Sequence, residues 1–116
     1  MEKPVSPLVS VLLASYNHEA YVEASVRSVM AQKGVDFELV VIDDGSSDSS
    51  PEILSRLQSE FGFTYVHRPN KGLIGTMNEL LALAKGKYFC TFASSNTGIG
   101  DVATSQKALK HLVQIP

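Results

Sequence analysis

The chain has 116 residues, 44% hydrophobic and 19% charged, with a formal net charge of −2. That length and balance fit one globular domain with a real core, and the lack of a basic block argues against nucleic acid as the main partner. The single cysteine, Cys90, excludes an internal disulfide and a cysteine-rich zinc site, and no apolar stretch approaches membrane-spanning length.

Residues 8–14 form an apolar, strand-like run that Ser15-Tyr16-Asn17 breaks. Asn17 is placed to cap a helix with Glu19 in its first turn; Val22, Val26, Val29 and Met30 recur at helical spacing, and Gly34 ends the helix. Residues 37–43 are a second strand. Ser50-Pro51-Glu52 reads as a cap followed by proline at the first helical position, with Ile53, Leu54, Leu57 and Phe61 as the buried face. Residues 63–67 give a short third strand, and residues 68–72 a loop. Met77, Leu80, Leu81 and Ala84 mark a third helix that Gly86 stops. Residues 88–93 are a fourth strand, with Tyr88, Phe89, Cys90 and Phe92 as core residues. Beyond a polar turn at 94–100, Asp101 is placed to cap a last helix carrying Val102, Leu109, Leu112 and Val113. The βαβαβαβα order and the near-continuous apolar strands predict an α/β fold of three layers: a mostly parallel sheet of about four strands with helices on both faces.

In such a sheet the carboxyl ends of the strands lie on one side, and ligands bind there. The run Val40-Val41-Ile42-Asp43-Asp44-Gly45-Ser46-Ser47-Asp48 delivers two adjacent carboxylates to that edge. Side by side they repel, which points to a base N–H, a sugar hydroxyl or a cation as partner; the alternative is an acidic loop in which Asp48 or Ser49 caps the next helix. The loops at 14–19, 43–49 and 94–100 converge on one crevice whose polar groups suit a nucleotide. Backbone groups of residues 14–16 can bond a base edge, the Tyr16 ring can pack beside the base, and Asp44 can accept from a base N–H. No phosphate-cradling glycine motif is present, and Gly72, Gly75 and Thr76 supply only a weak G-x-x-G-T, which disfavours a P-loop NTPase or a dinucleotide-dependent dehydrogenase. Arg68 and Lys71 can reach a base or a diphosphate, or stand as solvated loop charges. Glu19 can approach the base or ribose, or serve a helix N-terminus. His18 sits beside the proposed base pocket; His67 and His111 read as surface residues, and the three form no metal motif. A phosphoacceptor receiver domain would need its acid pair after the first strand, where this chain has Ser15-Tyr16.

Several of these segments together resemble a known family. Val9-Ser10-Val11-Leu12-Leu13-Ala14-Ser15-Tyr16-Asn17 resembles the opening strand and turn of family 2 glycosyltransferases of GT-A fold. The segment from Ala24 to Gln32 is similar to their first helix, and that from Phe37 to Asp48 to their second strand and acidic turn. Asn70-Lys71-Gly72 with Asn78 resembles their N-x-G loop, and the segment from Gly86 to Ala93 the strand before their metal site. The resemblance spans about residues 6–96. It implies a nucleotide-sugar donor such as a UDP-sugar, transfer of the sugar with inversion to a hydroxyl of a glycan or lipid acceptor, and a divalent cation, Mg²⁺ or Mn²⁺. Carried over by residue, it puts Ala14, Ser15, Tyr16, Asp44 and Ser95 at the nucleotide. Glu19, Arg68 and Lys71 are further candidates, and Asp43 is a brace of the turn more than a contact.

The chain departs from the family at the metal. Where an acidic pair or D-x-D normally follows the fourth strand, it has Ser94-Ser95-Asn96. Asn96 holds the metal position with a neutral oxygen, a poorer ligand for a hard cation than carboxylate, and Asp101 is the nearest substitute. The expectation is an impaired metal site and little or no turnover by this chain, with no catalytic base evident. The alternative function is a catalytically inactive nucleotide-binding or scaffold module of the same fold. The family's domain is longer than this sequence, so residues 1–116 are expected to be a single donor-binding domain, incomplete at its C-terminus: an excised half, a truncated product or a designed minimal version. An exposed sheet edge would favour a homo-oligomer. With no signal-peptide pattern in Met1-Glu2-Lys3-Pro4, the expected setting is cytoplasmic, or peripheral at a membrane through a partner.

Overall fold

The computed structural model describes residues 8–34, 36–93 and 113–114. In chain order these form β1 (Val9–Ser15), α1 (Val22–Met30), β2 (Phe37–Asp44), α2 (Ser50–Phe61), β3 (Thr64–Arg68), α3 (Gly72–Leu83), β4 (Tyr88–Ala93) and β5 (Val113–Gln114). The sheet order is β3-β2-β1-β4-β5. The first four strands run parallel, and β5 pairs antiparallel with β4. The predicted three-layer α/β architecture is therefore observed, with the long apolar strands β1 and β2 at its centre.

Alternation along the strands assigns the layers, because successive side chains leave a strand on opposite faces. Val9, Val11 and Leu13 of β1 and Leu39 and Val41 of β2 pack with Val22, Val26 and Val29 of α1 and Leu54 and Leu57 of α2. The intervening residues Leu12, Val40 and Ile42 pack on the other face with Leu80 of α3, flanked by Met77, Leu81 and Phe89. Cys90 is buried in the first of these clusters, and burial pushes its thiol up to about 11, so it is an inert core residue.

The helix ends differ from the sequence-based expectation in ways that bear on the site. Helix α1 begins at Val22 and not directly after Asn17, because Asn17 takes a left-handed conformation (φ 52°) and its side chain is used elsewhere. The His18 carbonyl instead accepts from Tyr21 N and Val22 N, both at 2.9 Å. The same helix stops at Met30 with Ala31 as its C-cap, and Gly34 (φ +79°) turns the loop beyond it. Ser50 lies within α2, with Ser49 at the N-cap position. Val113 is in a strand, not in the expected last helix; the other residues of that helix, Asp101, Val102, Leu109 and Leu112, lie outside the described residues.

Candidate functional site

The acidic pair does not share a face. Asp43 and Asp44 end β2 in register with His67 and Arg68 of β3, so the pleat sends Asp43 towards α2 and Asp44 towards α3. Each carboxylate meets its own basic neighbour: His67 Nδ1 is 2.9 Å from Asp43 Oδ2, and Arg68 Nη1 donates to Asp44 Oδ1. The repulsion expected of adjacent carboxylates is relieved within the chain.

Asp43, fully buried, is the keystone of two turns. It accepts from Ser46 N (2.9 Å) and Ser46 Oγ (2.6 Å), and Ser46 Oγ accepts from Asn17 N (2.8 Å). Asn17 Oδ1 in turn accepts from Ser47 N (2.8 Å). A second clasp is reciprocal: Glu19 N donates to Asp48 Oδ2, and Ser49 N donates to Glu19 Oε1, both at 3.0 Å. Asp48 Oδ1 also accepts from Ser50 N at 2.9 Å, so Asp48 and Glu19 satisfy the first amides of α2. Burial alone would raise the Asp48 pKa, but these amide and hydroxyl donors outweigh it and hold it below 3.8. Asp43 thus ties the acidic turn together through Ser46. Glu19 is engaged between turns and sits neither in the first turn of α1 nor on the cavity wall.

Asp44 plays the same part for α3. Lys71 N donates to its Oδ1 at 2.8 Å and Gly72 N to its Oδ2 at 3.1 Å, so the carboxylate closes the N-terminus of a helix that has no cap from its own side chains. Asn70 Nδ2 reaches Asp44 Oδ2 (3.2 Å) and the Asp44 carbonyl (3.0 Å). With Arg68, these donors fill the acceptor positions of the carboxylate. Burial works against the charge, yet the Lys71 amide, Arg68 and Thr76 prevail and hold the Asp44 pKa below 3.8. Gly45 (φ +77°) lets the acidic turn meet the 68–72 loop backbone to backbone: a Cβ there would stand 2.6 Å from Asn70 N.

Above Asp44 opens a cavity of about 340 Å³ lined by Ala14, Ser15, Tyr16, His18, Asp44, Asn70, Gly72, Leu73 and Thr76. It lies between the turn after β1 and the start of α3, at the carboxyl edge of the sheet, where an α/β fold receives ligands. Tyr16 and Leu73 flank it with exposed apolar surface. Alternation along β1 puts the buried Ser15 hydroxyl on the α1 side, so Ser15 borders the cavity through its backbone.

Four residues expected at the nucleotide, Ala14, Ser15, Tyr16 and Asp44, are therefore gathered on one cavity, and His18 is with them. Arg68 lies beneath Asp44, its side chain only 10% exposed, and Lys71 points outward with Nζ 3.7 Å from Glu79. Neither lines the cavity. Sequence reasoning missed the wall made by Asn70, Gly72, Leu73 and Thr76. The available signal was that the 68–72 loop also leaves a strand at the carboxyl edge, like the other loops that converge there. Ser95, Asn96 and Asp101 lie outside the described residues, and among the described residues no three His, Cys, Asp or Glu side chains group as a metal would require. Also among the described residues, no helix is long and apolar enough to cross a membrane.

Comparison with known proteins adds to this geometry. A family model described as Glycosyl transferase family 2 matches residues 10–94. The chain is 37% identical over 86 residues to an "Uncharacterized glycosyltransferase" of Haemophilus influenzae, covering 72% of this chain and 26% of that protein. Among solved structures it is similar to S. aureus TarS 1-349 in complex with UDP-GlcNAc, with a TM-score of 0.68 and 26% identity over 75% of this chain and 26% of that one. It is also similar to glucosyl-3-phosphoglycerate synthase from Mycobacterium tuberculosis in complex with Mn²⁺, UDP and glucosyl-3-phosphoglycerate. There the TM-score is 0.61 and the identity 25%, over 76% of this chain and 33% of that chain. The chain spans about a quarter of the length of the curated relatives it matches.

Proposed function

We propose a function from a settled premise: the chain belongs to glycosyl transferase family 2. Its cavity is the nucleotide site of a glycosyltransferase that moves a sugar from a nucleotide-sugar donor to an acceptor hydroxyl. The observation that carries this reading is the meeting of Ala14, Ser15, Tyr16 and Asp44 on one cavity at the carboxyl edge. Tyr16, 48% exposed as a residue, offers its ring as a face for a base to stack on. The backbone of residues 14–16 supplies hydrogen-bonding groups for its edge, and Asp44 is the acceptor for a base N–H. Because Asp44 already holds donors of its own chain, an incoming N–H must displace or share with one of them. The UDP and UDP-GlcNAc bound by similar structures favour a uridine nucleotide as ligand. The acceptor belongs to the same reading as a glycan or lipid hydroxyl, as do a cytoplasmic or peripheral membrane setting and self-association through an exposed sheet edge.

A divalent cation would neutralise charge on the departing diphosphate, and Mn²⁺ is bound in the similar synthase. Among the described residues no three His, Cys, Asp or Glu side chains group together, and the family's metal position lies outside them. Asn96, at the family's metal position, contributes a neutral oxygen, which favours a second reading in which the chain binds nucleotide with little or no turnover. Calorimetric titration with UDP, with and without Mn²⁺, separates the two. Metal-enhanced binding supports a working donor site, and binding indifferent to metal supports the second reading. No affinity at millimolar UDP overturns both.

A further inference from the structure

Base recognition by Asp44 requires an acceptor position that is free, and the donors now on it differ in how readily they yield. The Lys71 and Gly72 amides belong to the start of α3 and are fixed by its backbone, and the Asn70 amide is tied to the Asp44 carbonyl as well. Arg68 is different. Its Nε donates to Glu79 Oε1 at 2.8 Å, its Nη2 to Thr76 Oγ1 at 3.0 Å and its Nη1 to the Pro69 carbonyl at 3.0 Å, besides the bond to Asp44. The guanidinium is held between two carboxylates, one on β2 and one on α3, and is nearly buried. A guanidinium in that position cannot release one carboxylate cheaply unless another keeps its charge.

We propose that Glu79 is a positioning residue for base recognition: by sharing the Arg68 guanidinium it lets Arg68 yield its place on Asp44 to the N–H of a bound base. The inference rests on the nucleotide reading of the cavity. Without the Glu79 charge, Arg68 leans wholly on Asp44 and the base loses its acceptor. Glu79 does not line the cavity; it meets Arg68 at 2.8 Å and, more loosely, the exposed Lys71 Nζ at 3.7 Å.

The test is calorimetric titration of the full chain with UDP and with N3-methyl-UDP, which lacks the imide N–H. The unsubstituted chain should prefer UDP by about tenfold or more, the worth of one hydrogen bond to a charged acceptor. In Glu79→Gln the preference should fall below about threefold while affinity for the methylated analogue changes little. Glu79→Asp, which keeps the charge, should retain the preference. Equal weakening of both ligands, a preference unchanged in Glu79→Gln, or a loss in Glu79→Asp as large as in Glu79→Gln overturns the role of Glu79 and leaves the nucleotide reading standing. Absence of UDP binding by the unsubstituted chain, or equal affinity for the two ligands, overturns base recognition by Asp44 and the role of Glu79 with it.

Discussion

Asp44 and Arg68 face each other in register across β2 and β3, and the pair joins the acidic turn to the start of α3. Both side chains are nearly buried, so removing Asp44 takes away one of the two carboxylates that hold the Arg68 guanidinium and leaves it on Glu79. Asp44→Ala should therefore lower the unfolding free energy by about 3 kcal/mol, since it removes a buried partner of Arg68 and uncaps α3 at once. The neighbouring pair should behave differently. His67 is half exposed, and Asp43 keeps both bonds from Ser46 when the ring is gone. His67→Ala should cost about 1 kcal/mol or less. Urea unfolding of the two variants measures the contrast, and equal losses would contradict it.

Acid should undo the same contacts. Burial opposes ionisation of Asp44 and Asp48, but hydrogen-bond donors prevail and hold both folded-state pKa values below 3.8. A depressed carboxylate contributes stability that is fully present above its unfolded value and is lost as pH falls through the folded one. The urea midpoint should thus hold steady from neutral pH down to about 5 and drop below about 4. Asp48→Asn should flatten part of that drop while lowering the plateau. A midpoint that keeps its neutral value at pH 3 would show that these contacts do not couple to stability.

The strands and the placement of Ala14, Tyr16 and Asp44 were legible because they depend on local pattern: apolar runs ending at polar turns on one edge of a parallel sheet. The partners of the acids were not. His67 and Arg68 are 24 residues away from Asp43 and Asp44, and only the β2–β3 register brings them opposite. Asn17 was misplaced as a helix cap for a related reason. Asparagine suits both a cap and a left-handed turn, and the Ser47 amide, 30 residues on, decides between them. The sequence leaves Arg68 open between a ligand contact and a solvated loop charge, because its partner Glu79 lies on a helix whose approach to β3 no single-chain periodicity records.

Two glycines with nearly the same backbone conformation should respond unequally to alanine. Gly45 (φ +77°) has Asn70 N at 2.6 Å from a would-be Cβ, whereas Gly62 (φ +80°), the C-cap of α2, has open space there. Gly62→Ala should cost only the left-handed backbone penalty, about 1–2 kcal/mol. Gly45→Ala adds a collision between two backbones and should cost at least about 2 kcal/mol more, pushing the 68–72 loop off Asp44. Thermal unfolding ranks the pair. A Gly45→Ala variant no less stable than Gly62→Ala would mean that the loop yields freely, and Asp44 could then not be held as described.

Tyr16 separates binding from folding. The residue is 48% exposed and lines the cavity, so it contributes little to the core. Tyr16→Ala should leave the unfolding free energy within about 0.5 kcal/mol of the parent. A stacked base loses about 1–3 kcal/mol when its aromatic platform is removed, which corresponds to a rise in the UDP dissociation constant of roughly tenfold. Tyr16→Phe, which keeps the ring, should retain the affinity. If Tyr16→Ala binds UDP like the parent, the base does not lie on this ring, and the nucleotide would have to enter from the Leu73 side of the cavity.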